Sequence, residues 1–240
     1  MKFTIEWTKL NEVVEESSEV KTFFFDIPEN FTWIEGSFTH LALDGFNAGE
    51  KPNRNLVRHM SISTLPEEGK IGITTRIRKK RSEYKNRLDI MDIGDKVALF
   101  KTVSHVPLIR ENKNIYLLSA GVGLATFRPL VLKYFETRNN INHIHSLNID
   151  SEKEYLFTDV FETATDKNFT AQFVDQRKDY YKRVKQFSAD KEGIFYIVGN
   201  DDFLIQNIEL LLKQGISREQ IMLDKRENQR EKFFPTKQIV

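Results

Sequence analysis

Apolar and polar positions alternate with a period of two through the first part of the chain, in the runs "KFTIEWT", "EVKTFFFDI", "SFTHLALD", "VRHMSIS", "KIGITTRI" and "DKVALFK". β-Branched and aromatic residues fill these runs, and turn formers separate them: "PEN", "DGFNAGEKPN", "PEEG" and "IGD". The pattern predicts antiparallel strands with one buried face, closed into a small barrel. One short helix is expected there, over "SEYKNRLDIM". From residue 114 onward the grammar changes. Continuous apolar runs "IYLLS", "HIHSLNI", "AQFV" and "IFYIVG" alternate with helical stretches, as in parallel βαβ units. In "FLIQNIELLLKQG" the residues Phe203, Leu204, Ile208, Leu211 and Leu212 share one helical face, and Gly215 follows as a C-cap. The expected fold class is therefore β + α/β: an N-terminal antiparallel β-barrel over 1–110 and a Rossmann-like parallel-sheet domain over 111–240, divided in "LIRENK".

Composition narrows the chemistry more than the fold. At 40% hydrophobic and 30% charged residues the chain can bury a core and stay soluble. Its 36 Lys and Arg balance 35 Asp and Glu, so no overall field draws it to nucleic acid or to an anionic membrane. With no cysteine, disulfides, thiolate metal sites and protein-held iron–sulfur clusters are excluded. Any redox chemistry needs a bound organic cofactor. The five histidines form no metal-ligand pattern. No run approaches the ~20 apolar residues that span a bilayer, and no secretion signal opens the chain, which makes the cytoplasm the expected location. The basic cluster "RIRKKR", residues 76–81, reads either as a solvated loop or as a polyanion contact.

The densest concentration of glycine and proline is "AGVGLATFRP", residues 120–129, between an apolar run and a helical one. It reads as strand, tight turn and helix, with Pro129 in the first helical turn, where amide hydrogens lack internal partners. Gly121 and Gly123 allow a sharp turn and close approach of backbone to a ligand, and the helix start offers amides and partial positive charge to a pyrophosphate. A bare strand-to-helix turn explains the same residues, so both readings stand at this point.

Three segments in this order resemble the ferredoxin–NADP reductase superfamily. "RHMSIS", residues 58–63, is similar to its Arg-x-Tyr-Ser flavin motif; Arg58 and Ser61 match, and Met60 stands where tyrosine is usual. "SAGVGLATF" is similar to the nicotinamide-nucleotide loop, with Gly121 and Gly123 matching, Ala120 replacing a glycine and Thr126 a proline. "YIVGNDDFLIQNIELLLKQGISREQIMLD" resembles the late strand, Cys-Gly, helix and final strand; Gly199 matches, Val198 holds the cysteine position and Asp224 that of a common acidic residue. A fourth, looser match is "RSEYKNRLDIMDIGDKV", similar to the segment that meets flavin pyrophosphate, with Ser82 and the backbone of 84–86 as candidates.

The resemblance implies an NAD(P)H-dependent flavin oxidoreductase that takes hydride onto bound FAD and passes electrons to a separate acceptor, a protein or a small molecule. FAD is preferred over FMN, because "SEYKN" offers a place for a second phosphate. It implies Ser61 as the catalytic residue beside the reactive flavin face. Flavin contacts fall on Arg58, His59, Met60, Ser61, Ile62, Thr74, Arg76 and Ser82, and nucleotide contacts on Gly121, Val122, Gly123, Thr126, Asp150, Gly199, Asn200 and Asp201. Physically, a guanidinium suits bidentate phosphate binding and a hydroxyl suits the hydride-accepting nitrogen. Asp150, in "SLNIDSEKEY", suits a ribose hydroxyl and favours NADH, while Lys153 keeps NADPH open. Met60 and Val198 depart from the pattern and motivate an alternative: a non-catalytic flavin- or nucleotide-binding sensor or assembly module that kept the fold. A purely structural interaction protein is the third reading.

Overall fold

The computed structural model describes residues 4–162 and 167–235, without the side chain of Glu227. Residues 2 and 3 of the first expected strand lie outside that range. Six antiparallel strands come first: β1 (Glu6–Glu15), β2 (Val20–Phe25), β3 (Ser37–Leu43), β4 (Val57–Ser61), β5 (Ile71–Arg76) and β6 (Lys96–Ser104). They are ordered β4-β3-β6-β1-β2-β5. The sheet curls until its edges meet, where the Ser63 amide donates to the Gly72 carbonyl at 2.8 Å.

β1 begins later and runs further than its alternation predicts. Glu6 to Lys9 pair with β6, Leu10 to Glu15 pair with β2, and the register shifts between Leu10 and Glu12. A bulge of this kind inserts a residue and breaks the period of two, which hides "LNEVVE" from a pattern search. Leu10, Phe23, Phe25, Leu41, Ile73 and Leu99 fill the barrel. Helix α1 (Glu83–Asp89) adds Tyr84 and Leu88 to this core, with the Tyr84 hydroxyl donating to the Leu41 carbonyl at 3.1 Å.

The second lobe is a parallel sheet of β7 (Lys113–Ala120), β8 (Ile141–Ile149), β9 (Phe169–Val174), β10 (Ile194–Val198) and β11 (Ile221–Leu223), ordered β11-β10-β7-β8-β9. Successive residues of β7 serve opposite faces. Ile115 and Leu117 pack with α2 (Leu124–Glu136), while Tyr116 and Leu118 pack with α4 (Arg177–Phe187) and α5 (Asp201–Lys213). Short helices α3 (Thr158–Phe161) and α6 (Glu227–Arg230) complete the lobe. Strand order reverses between β7 and β10, so the crevice beyond their carboxyl ends is the switch point at which open α/β sheets take ligands. No helix among the described residues is long and apolar enough to cross a membrane.

One local expectation fails. Pro129 sits inside α2, past its first turn, because a 3₁₀ turn at Gly121–Gly123 winds the chain straight off β7 and α2 already starts at Leu124. Its missing amide removes the bond that would reach the carbonyl of Ala125.

Candidate functional site

A cleft of about 910 Å³ opens between the two lobes, over the switch point. The floor on the α/β side is the glycine turn. Gly121 has φ +51°, and its carbonyl accepts from the buried Asn148 amide at 3.2 Å, which fixes the turn. Gly123 lies where a Cβ would come within 2.8 Å of the Val198 carbonyl, so the absence of a side chain lets the turn sit against the end of β10. Val122, Gly199 and Asn200 line the same crevice; Asn200 also caps α5, accepting from the Phe203 amide at 2.9 Å. The cap and the pocket wall are one residue.

On the barrel side the wall is basic. Arg76, Arg78, Lys80, Arg81 and Lys85 line it together with Thr74 and Ser82. Ser82 caps α1, its hydroxyl oxygen accepting from the Lys85 amide at 3.4 Å. Lys85 is a residue the sequence did not single out for its side chain. Its ammonium donates to Thr75 Oγ1 and to the Arg76 carbonyl, and no carboxylate pairs with it among the described residues. Burial, and then the neighbouring charge of Arg58, pull it down to about 8. A half-buried cation without a carboxylate partner favours an anion in the cleft.

Ser61 stands where the lobes touch. Thr126 Oγ1, at the start of α2, donates to Ser61 Oγ at 3.0 Å, and Ser61 Oγ donates to Asp224 Oδ2 at 3.3 Å. Burial pushes the Asp224 carboxyl up to about 6, against the opposing pull of the Ser61 hydrogen bond and the Lys225 charge. Met60 and His59 flank Ser61 along the cleft.

Three expected residues lie elsewhere. Arg58 folds back over the 3₁₀ turn at Arg54–Leu56, Nη1 donating to the carbonyls of Arg54, Asn55 and Val57 at 3.3, 3.2 and 2.7 Å, with its guanidinium 5.1 Å from the centre of the Tyr84 ring. It is spent on backbone carbonyls around that turn and does not line the cleft. Ile62 is 1% exposed and belongs to the barrel core. Asp201 turns from the cleft toward Lys225 and Lys232, each 3.4 Å away.

Asp150 is in the cleft but not free. Its Oδ2 pairs with Arg76 Nη2 at 3.0 Å, its Oδ1 accepts from the Glu152 amide at 2.8 Å, and the side chain is 4% exposed. The pair joins β5 to the end of β8 and lies against Gly121, whose Cβ position is 3.2 Å from Arg76 Nη2 and 3.3 Å from Asp150 Oδ2. The basic run and the acidic residue, read separately in the sequence, meet here.

No family model matches the chain. Among solved structures it is similar to a ferredoxin NADP+ reductase from Neisseria gonorrhoeae with bound FAD and NADP, at 19% identity and a TM-score of 0.76, covering 93% of this chain and 98% of that one. The chain has the fold of ferredoxin–NADP reductases. The CS-b5R domains of human Ncb5or share this reductase fold at 16% identity and a TM-score of 0.77, over 94% of this chain and 70% of that one. In sequence, the flavohemoprotein of Pseudomonas putida is 26% identical over 136 residues, 55% of this chain and 33% of that protein. The chain thus spans about a third of that curated relative, and the reductase fold is what the solved structures share with it.

Proposed function

We propose that the chain is a flavin-dependent oxidoreductase that takes hydride from NAD(P)H onto FAD and passes electrons to a separate acceptor. The carrying observation is the cleft itself: a basic barrel wall faces a glycine turn at the switch point, and Ser61 stands at their contact. The residues fit such a pair of ligands. Lys85, Arg78, Lys80 and Arg81 suit flavin phosphates, and the turn at Gly121 to Gly123 lines the part of the cleft that suits a nicotinamide nucleotide. FAD, when bound, supplies hydride acceptance and one- or two-electron delivery.

The rest is the work of this chain's side chains. Ser61 is held from both sides, accepting from Thr126 and donating to Asp224, so its oxygen keeps a fixed position facing the cleft. Asp224, raised to about 6, accepts the Ser61 hydrogen bond when ionised and can donate to Ser61 Oγ when protonated. Met60, 9% exposed, gives the cleft a polarizable wall where the resemblance would place an aromatic ring. Arg76 and Asp150 must part for a phosphate to reach the turn at Gly121, because their paired atoms already lie against it.

That pair is also the observation that favours the second reading, a binding module without turnover. An anaerobic titration separates the two. The protein is loaded with FAD, its visible spectrum recorded, and NADH or NADPH added; bleaching of the bound flavin within seconds supports the reductase. A stable yellow protein indifferent to both nucleotides leaves the binding module, and failure to take up FAD at all removes the flavin reading.

A further inference from the structure

Asp150, Glu152 and Glu154 stand at every second position of the loop that leaves β8, and all three reach across to the barrel. Arg76, the last residue of β5, is forked between the first two: Nη2 lies 3.0 Å from Asp150 Oδ2 and Nη1 lies 3.1 Å from Glu152 Oε2. Glu154 accepts from the Ser17 hydroxyl at 2.8 Å and from that of Ser18, both in the turn between β1 and β2. Lys153 turns the other way, to Asp175 of its own lobe at 3.1 Å. The loop is thus a strap tied to the barrel at two places. Its Arg76 tie is the shielded one, with the side chains of Arg76 and Asp150 only 18% and 4% exposed.

The lobes are held together elsewhere. Away from the cleft, Arg128 of α2 donates to the Ser63 carbonyl at 2.9 Å and pairs with Glu68 at 2.8 Å. The Tyr196 hydroxyl on β10 donates to the Pro107 carbonyl and accepts from the Ile109 amide, which pins the segment joining the lobes. What the Arg76 fork adds is a cover for the glycine turn. Its paired atoms lie 3.2 and 3.3 Å from the Cβ position of Gly121, in the space that the missing side chain leaves. The anchor of the strap also belongs to the basic wall. The Lys85 ammonium, unpaired with any carboxylate among the described residues, donates to the carbonyl of Arg76 itself at 3.1 Å. An anion drawn to Lys85 arrives at the root of the Arg76 side chain. A phosphate there offers the guanidinium two oxygens in bidentate geometry, in place of one oxygen from each of two carboxylates.

We propose that the strap is an autoinhibitory contact: without flavin it withholds the glycine turn from nicotinamide nucleotide, and a flavin phosphate on the basic wall releases it by taking Arg76. The inference rests on the flavin reading of the cleft and adds an order to it, FAD before nucleotide. Coupling between two sites is reciprocal, so the nucleotide tightens FAD by the same factor.

The test uses the whole chain and NAD+, which does not reduce flavin. Binding is followed through the amide signals of Gly121 and Gly123 in nitrogen–proton correlation spectra, and FAD uptake is measured separately by flavin fluorescence. Without FAD, Arg76→Gln should bind NAD+ about tenfold or more tightly than the wild type, since a charged hydrogen bond no longer has to be broken. Glu152→Gln, which removes the more exposed arm of the fork, should gain less. FAD should tighten NAD+ in the wild type by about tenfold or more and leave its affinity for Arg76→Gln nearly unchanged. Affinity in Arg76→Gln no higher than in the flavin-free wild type, or no effect of FAD on the wild type, with Gly121 responding throughout, overturns the strap and leaves the nucleotide site standing. No response of Gly121 or Gly123 in any form refutes the nucleotide reading and the strap with it. Failure to take up FAD refutes the flavin reading and the release step. Should Arg76→Gln not fold, Glu152→Gln and the effect of FAD on the wild type decide the matter.

Discussion

The Asp224 carboxyl offers a sharp quantitative test, because its burial is a tertiary effect with a defined pH signature. Its pKa rises from 3.8 to about 6 on folding, with desolvation as the leading cause. A carboxyl raised by folding favours the native state while it is protonated, and that advantage is lost as pH climbs through the folded pKa. With these two values Asp224 lowers folding stability by about 1.6 kcal/mol at pH 5 and by about 3 kcal/mol at pH 8, relative to a residue that does not titrate. Asp224→Asn keeps the shape and the hydrogen bond to Ser61 but has no charge to bury. The variant should therefore be more stable than the wild type, and its advantage in urea denaturation should widen by about 1.4 kcal/mol between pH 5 and pH 8. Carbon-13 observation of the carboxyl provides the direct check, with a midpoint near 6. A stability offset that stays constant over this interval, or an Asp224 midpoint near 4, refutes the assignment of a desolvated acid beside Ser61.

Further outcomes follow from the same geometry. Gly123→Ala places a Cβ 2.8 Å from the Val198 carbonyl; overpacking against backbone should cost about 1–3 kcal/mol, read as a lower thermal midpoint, with Gly49→Ala, whose Cβ meets nothing nearer than 3.8 Å, as the contrast. Lys85→Met should weaken FAD binding by about tenfold or more, the loss of one charge-assisted hydrogen bond, measured by quenching of flavin fluorescence. Arg58→Ala should have the smaller effect, since its guanidinium is spent on the carbonyls of the turn before β4; the opposite ranking would return Arg58 to the flavin site.

The change of period near residue 114, the strand runs and the glycine turn could be read from local pattern because each depends on neighbours along the chain. A strand shows its buried face every second residue, and a left-handed turn position such as Gly121, at φ +51°, favours glycine. The two-lobe plan and the places of Ser61, Gly121, Gly123 and Asn200 at one cleft were legible for that reason. What failed locally failed where a single insertion shifts the count: the bulge in β1 and the 3₁₀ turn that moves Pro129 into the interior of α2.

Side-chain partners belong to another order of information. Nothing along the sequence distinguishes Lys85 from the other cations between 76 and 87, or says that Arg58 would turn to carbonyls and Arg76 to Asp150. Arg76 and Asp150 are 74 positions apart and Ser61 and Asp224 are 163 apart. The sequence determines which segments can be strand, turn or helix, since those choices are made by the backbone and its nearest side chains. Which charge meets which, and which carboxyl loses its water, is decided only when the lobes pack, because desolvation and Coulomb attraction act through space and take no account of the distance along the chain.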